Sequence, residues 1–177
     1  MPSFLAYVVV GAAAALVTFV CVPIMIRLAP RLGTMVLPSE RHVHASPTPT
    51  AGGAAMILGV IVAVAVAAVH PEFSEVMEAR TEMVGVVVAA CVMWSVGFVD
   101  DLREISAPAK IAGMVLSGSI LSLTGVSILV FRVPFFDLLV LSADWSFFVT
   151  VVWVVSIANI VNLVDGLDGL AAGIVAI

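Results

Sequence analysis

Residues 145–170 read WSFFVTVVWVVSIANIVNLVDGLDGL. From 145 to 155 the stretch is almost wholly apolar, and the span it opens runs to about 163. That length falls within the roughly 17–25 residues a helix needs to cross about 30 Å of hydrocarbon. Four polar side chains then come at three-residue steps: Asn159, Asn162, Asp165 and Asp168, with Gly166 and Gly169 after the carboxylates. On a helix, Asn159 and Asn162 share a face, and the glycines loosen or end the helix so that the aspartates can turn back. The stretch therefore reads as a membrane helix that opens onto a polar site. A well-capped helix end is the alternative, since Asn and Asp are favoured at termini. The tandem Asp-Gly-Leu repeat weighs against it.

The rest of the chain is equally apolar. Of its 177 residues, 63% are hydrophobic and 11% charged, and the mean hydropathy is +1.26. Soluble domains carry about 25% charged residues. The apolar residues form long runs that predict five full transmembrane helices, at 4–26, 51–69, 83–99, 111–131 and 145–163, plus the start of a sixth near Leu170. The expected fold is all-α: one polytopic membrane helix bundle, a single domain over 1–177. Helices are expected because an isolated strand leaves its backbone unsatisfied in lipid. The first run lacks the basic segment of a cleaved signal and is too long for its apolar core, so it reads as a retained span. Cys21 and Cys91 lie inside apolar runs, as small hydrophobes do. No basic stripe accompanies the net charge of −5, which argues against a nucleic-acid partner.

Charge asymmetry sets the expected orientation. Arg27, Arg31, Arg41, Arg103 and Lys110 fall in the first and third connections, against Arg80 and Arg132 in the second and fourth. Basic loops stay cytoplasmic, so the N-terminus is expected outside. The second connection, HPEFSEVMEARTE, holds four glutamates, which suits the outer side. The unusual polar stretches then converge on the cytoplasmic face of the cell membrane.

Two more of these stretches carry potential chemistry. Residues 38–53, PSERHVHASPTPTAGG, combine Arg41, His42 and His44 with a proline-stiffened loop and a Gly-Gly entry into a helix. Gly52 and Gly53 there permit close approach and positive φ. A cationic loop beside a helix N-terminus suits a phosphate; an ordinary solvated cytoplasmic loop is the alternative. Residues 97–110, GFVDDLREISAPAK, put Asp100 and Asp101 directly after an apolar helix. Carboxylates at a membrane interface are costly unless they bind a cation or stay hydrated. Mg²⁺ takes one or two carboxylates and completes its shell with waters and substrate phosphates. Simple termination of the helix in water is the alternative. His70 reads as an interfacial residue, and Trp94, Trp145 and Trp153 as packing or interface anchors.

The order RHVHASPTPTAGG, GFVDDLREISAPAK and NIVNLVDGLDGLAAG closely resembles the polyprenyl-phosphate N-acetylhexosamine-1-phosphate transferases. The first stretch looks more like the branch using UDP-GlcNAc than the related phospho-MurNAc-pentapeptide branch. The resemblance covers the chain from Arg27 onward, about the N-terminal half of a family member. Family members continue through several more helices, with a further aspartate and a histidine-rich loop. The chain therefore reads as part of a longer enzyme, and 1–177 alone is expected to be inactive.

The resemblance implies transfer of a sugar 1-phosphate from a UDP-sugar to a polyprenyl phosphate, with release of UMP. That is the first membrane step of a cell-envelope glycan. It implies Asp100 and Asp101 as the catalytic pair, with Mg²⁺ (or Mn²⁺) held by Asp100, Asp101 and Asn162. One carboxylate would orient or deprotonate the lipid phosphate and the other would hold metal, in an order left open, as is a covalent route. Asn159, Asp165 and Asp168, with Asn162, would contact the nucleotide-sugar; Arg41, His44 and Lys110 would meet phosphate. A second copy of the chain or a separate C-terminal half stands as a protein partner. Two rival classes remain: a subunit of an ion-coupled transporter, which also uses intramembrane carboxylates, and a non-catalytic membrane partner.

Overall fold

A computed structural model describes residues 1–36, 48–132, 138–164 and 173. The chain runs up and down in helices: α1 (Phe4–Leu32), α2 (Gly52–Val69), a 3₁₀ turn (Pro71–Phe73), α3 (Ser74–Glu78), α4 (Arg80–Arg103), α5 (Ala107–Leu123) and α6 (Ala143–Val164). The packing follows chain order, α1 on α2, α2 on α4, α4 on α5 and α5 on α6. The expected all-α architecture holds. Four helices, α1, α2, α4 and α6, are long and apolar enough to cross a membrane.

The helices pack through small residues. The buried apolar positions on α1, α2 and α4 are almost all alanines, Ala6, Ala29, Ala55, Ala67 and Ala89. Gly59 of α2 is so close to α1 that an added Cβ would sit 2.9 Å from the Ala14 carbonyl oxygen. Large side chains such as Phe19, Leu116 and Phe148 face outward. This inversion of a soluble core is what lipid favours, because apolar surface gains nothing by leaving hydrocarbon and close backbone approach supplies the attraction.

Several expected boundaries shift. Arg27 and Arg31 belong to α1 rather than to a loop, and the helix continues to Gly33, whose φ of 75° ends it in the left-handed conformation. Asp100 and Asp101 lie in the last turn of α4, not beyond it. Positive φ belongs to Gly33 and Gly125 among the described glycines, not to Gly52 or Gly53. The expected 111–131 span is instead α5, already helical at Ala107 and finished at Leu123. Thr124 turns its hydroxyl back onto the Ile120 carbonyl at 2.8 Å, and Gly125 comes next at φ 102°, so the helix cannot continue.

Two small antiparallel ribbons close the loops, an addition to the all-helical expectation. β1 (Met35–Val36) pairs with β2 (Thr48–Pro49) at the end of the bundle that holds Asp100. β3 (Val130–Arg132) pairs with β4 (Leu138–Val140) at the opposite end. There too the N-terminus is fastened: Ser3 bonds Glu72 through its amide and hydroxyl. The Ser3 amide, the main influence, holds the Glu72 carboxyl below its ordinary pKa. His70, expected at an interface, caps α2; its Nδ1 accepts the Glu72 amide at 3.3 Å, and Tyr7 meets Phe73 edge-on.

Candidate functional site

Because α4 and α5 are antiparallel neighbours joined by three residues, the end of one faces the start of the other. Glu104 makes the reversal at φ 45°, and its amide returns to the Asp100 carbonyl at 2.8 Å. The Ile105 amide donates to Asp100 Oδ1 at 3.1 Å. The first bond fixes the backbone and the second the carboxylate, leaving Oδ2 pointing at α5, where Lys110 Nζ lies 2.6 Å away. Both side chains are roughly one-third exposed or less. Water therefore still screens the pair, and its importance is geometric rather than as a source of stability.

Asp100 and Lys110 line a cleft of about 390 Å³ between α4, α5 and α6, with Gly97, Met114, Ala158 and Asn162 among its walls. The structure thus brings together three of the side chains singled out in the sequence, Asp100, Lys110 and Asn162. Asn159 stands one turn back on α6, half-buried. Its amide nitrogen donates to the Val155 carbonyl at 2.8 Å and to Met114 Sδ at 3.3 Å. It braces the wall to which Met114 contributes.

Asp101 faces elsewhere. Successive helical residues point about 100° apart, and Asp101 turns to the start of α2, where it lines a cavity with Thr50. A second, smaller cavity there, about 170 Å³, is lined by Thr50, Gly53, Trp94, Phe98 and Asp101. Trp94 stacks on Phe98 with centroids 5.3 Å apart; it is a wall of this cavity, in keeping with a packing role. Thr50 is also tied backward. Its amide donates to the Thr34 carbonyl at 3.0 Å, and its hydroxyl lies 3.3 Å from the same oxygen. Thr34 itself is fully buried against the end of α1. The end of α1 and the start of α2 are thus linked through two threonines, the second of which shares a cavity with Asp101. Thr50 was not singled out in the sequence, although it closes the Pro-Thr-Pro-Thr segment. The signal was a hydroxyl two residues before a Gly-Gly helix start, a position that faces neighbouring helix ends.

Arg41, His42, His44, Asp165 and Asp168 lie outside the described residues. Among the described residues, no three His, Cys, Asp or Glu side chains group together as a metal cluster. The donors in the larger cleft are hard oxygens, one carboxylate and one amide. They fit a cation that keeps most of its shell as water and substrate phosphate, as Mg²⁺ does.

The profile of glycosyl transferase family 4 matches residues 83–177, which include most of α4, all of α5 and α6, and the cleft between them. The chain belongs to that family. The chain is 39% identical over 125 residues to a decaprenyl-phosphate N-acetylglucosaminephosphotransferase of Mycobacterium tuberculosis, covering 71% of this chain and 31% of that protein. It is 32% identical over 162 residues to a probable undecaprenyl-phosphate N-acetylglucosaminyl 1-phosphate transferase of Bacillus subtilis, covering 92% of this chain and 43% of that protein. The chain thus spans between about a third and under half of the relatives it matches. No solved structure matches it significantly.

Proposed function

We propose that this chain is part of a membrane transferase that moves GlcNAc 1-phosphate from UDP-GlcNAc to a polyprenyl phosphate and releases UMP. The observation that carries the reading is the convergence of Asp100, Lys110 and Asn162 on one cleft at a helix end. Such a cleft suits phosphoryl transfer, which asks a protein chiefly to position two polyanions and offset their charge. The names of these relatives supply the acceptor class and the sugar, and favour an enzyme over a transporter or a silent partner.

In this reading five helices cross the membrane, α5 among them, with the N-terminus outside and the cleft cytoplasmic. The lipid phosphate oxygen attacks the phosphorus bearing the sugar, and the bond from that phosphorus to the bridging oxygen of UMP breaks. Asp100, held by the Ile105 amide, orients the lipid phosphate or takes its proton. Lys110 exchanges its contact with Asp100 for a phosphate oxygen as substrate enters. Asn162 meets the pyrophosphate, and Asn159 keeps that wall of α6 in place. Asp101 holds the loop before α2 through Thr50, so that Arg41 and His44 can reach phosphate; Asp165 and Asp168 contact the nucleotide. Asp100 and Asn162, with Asp101 as a further donor, would hold Mg²⁺ or Mn²⁺. When bound, the ion offsets pyrophosphate charge. Residues 1–177 alone do not turn over, and the remaining groups come from a longer chain or a second one.

The test is release of UMP and formation of lipid-linked GlcNAc by the full-length gene product, given UDP-GlcNAc and a polyprenyl phosphate in vesicles. Transfer that stops with a chelator and returns with Mg²⁺ is expected. Absence of any lipid-linked sugar, with ion flux across the same vesicles, would overturn the reading.

A further inference from the structure

The end of the bundle opposite the cleft carries a feature the transfer reaction does not use. α5 has 17 residues, about 25 Å at 1.5 Å per residue, against roughly 30 Å of hydrocarbon. The chain therefore leaves its helix before it has cleared the apolar layer. The segment after Leu123 is suited to that depth. The Val126 amide donates to the Leu121 carbonyl at 2.9 Å, and Leu141 to Leu129 at 3.0 Å. The Ile128 amide donates to Thr150 Oγ1 at 2.9 Å, and the Ile128 carbonyl accepts from Ser146 Oγ at 2.8 Å. Ser146 and Thr150 are 3% and 5% exposed. Two hydroxyls on α6 thus satisfy an irregular backbone without water, a condition for non-helical chain at membrane depth.

Apart from Arg132 at the end of β3, the ribbon that this segment feeds is apolar on both faces. Leu129, Val130, Phe131, Leu138, Leu139 and Val140 are all exposed, Val140 at 71%. Neighbours in a strand point to opposite faces, so neither face of β4 is turned to a core. A two-stranded ribbon of this kind is marginal in water. Its outer edges still carry unpaired amides and carbonyls, which forbids deep burial in hydrocarbon. Both constraints are met at the boundary between headgroups and acyl chains. The exposed apolar surface is continuous there with Leu123 at the end of α5 and with Trp145 and Phe148 at the start of α6. A cleft of about 500 Å³ between the ribbon and α6, lined by Phe131, Leu139, Val140, Trp145 and Val149, is open to the same layer.

We propose that the β3–β4 ribbon is a lipid-contacting element. It lies in the leaflet opposite the Asp100 cleft, with its side chains among acyl chains and its edges at the headgroups. It completes the crossing that α5 leaves short. The test is nitroxide labelling at Leu139→Cys and, separately, Val140→Cys in the full-length protein carrying Cys21→Ser and Cys91→Ser, reconstituted in phosphatidylethanolamine–phosphatidylglycerol vesicles. Collision with oxygen relative to a water-soluble nickel chelate should be several-fold higher at both positions than at Glu75→Cys, in the loop at the same end. Nickel access at both positions equal to that at Glu75→Cys would overturn the proposal. Shielding from both reagents with spin–spin broadening would overturn it too, by assigning the ribbon to a contact between two copies of the chain.

Discussion

Lys110 Nζ lies 2.6 Å from Asp100 Oδ2, across the reversal that joins α4 to α5, while Asp101, the next residue, lines a different cavity with Thr50 at the start of α2. The paired carboxylates therefore line different cavities. In the full-length enzyme Asp100→Asn keeps shape but removes the charge in the larger cleft, and kcat should fall by roughly 100-fold or more. Asp101→Asn should fall comparably if it shares the metal, yet Thr50→Val should reproduce only the part of its loss that comes from the loop before α2. Asp144→Asn, at the opposite end of the bundle, should change little. Turnover near normal in both aspartate variants would remove the catalytic assignment.

Glu104 offers a test of how the Asp100 carboxylate is held. It is the one described non-glycine residue with positive φ, at 45°, a conformation that costs an L-residue roughly 1–2 kcal/mol. Glycine is the usual residue at such a helix end. Glu104→Gly should raise stability by up to about 1 kcal/mol, after the entropy glycine loses is subtracted, with kcat little changed. Glu104→Val should lower both. Thermal unfolding in detergent, read alongside transfer activity, separates the two substitutions. A Glu104→Gly protein less stable than the parent would mean that the Glu104 side chain is itself bonded in place.

Much of this was legible in the sequence, for reasons that differ by element. The long apolar runs gave α1, α2, α4 and α6, since hydrocarbon thickness sets helix length. The motif at 97–110 held both Asp100 and Lys110, but not the fact that they touch. That contact depends on a three-residue reversal and on one left-handed residue, which no periodicity announces. The Thr34–Thr50–Asp101 grouping draws on three separate stretches and is tertiary by nature. The α5 boundary was misplaced because ILVF at 128–131 is as apolar as a span. Hydropathy alone does not distinguish a helix from a ribbon lying against one.

Gly59 tests whether α1 and α2 are held by backbone approach. A Cβ there would lie 2.3 Å from Thr18 Oγ1 and 2.9 Å from the Ala14 carbonyl oxygen. The hydroxyl can turn away, but the backbone oxygen cannot. Gly59→Ala should cost roughly 1–3 kcal/mol, the range for overpacking, and Gly59→Val more. Gly11→Ala, on α1 with open space around the added methyl, is the matched control. It should be neutral or slightly stabilising, as Ala is the better helix former by up to about 1 kcal/mol. Equal melting temperatures for Gly59→Ala and Gly11→Ala would mean the helices can move apart at no cost.

Orientation is testable from one residue at each end of the bundle. Ser106 is exposed in the reversal beside Asp100, and Glu75 is exposed in α3 at the other end. Among the described residues, Arg27, Arg31, Arg103 and Lys110 lie toward the Ser106 end, Arg41 falls in the first connection of the sequence, and positive residues are retained in the cytoplasm. That Arg27 and Arg31 lie on the last turns of α1 does not weaken the bias, which counts residues close to the span ends as well as those in loops. In a Cys21→Ser, Cys91→Ser background, a membrane-impermeant thiol reagent applied to intact cells should label Glu75→Cys and leave Ser106→Cys untouched until the membrane is permeabilised. The reverse pattern would put the Asp100 cleft outside the cell. A cytoplasmic UDP-sugar could not reach it there, and the proposed reaction would fall with the topology.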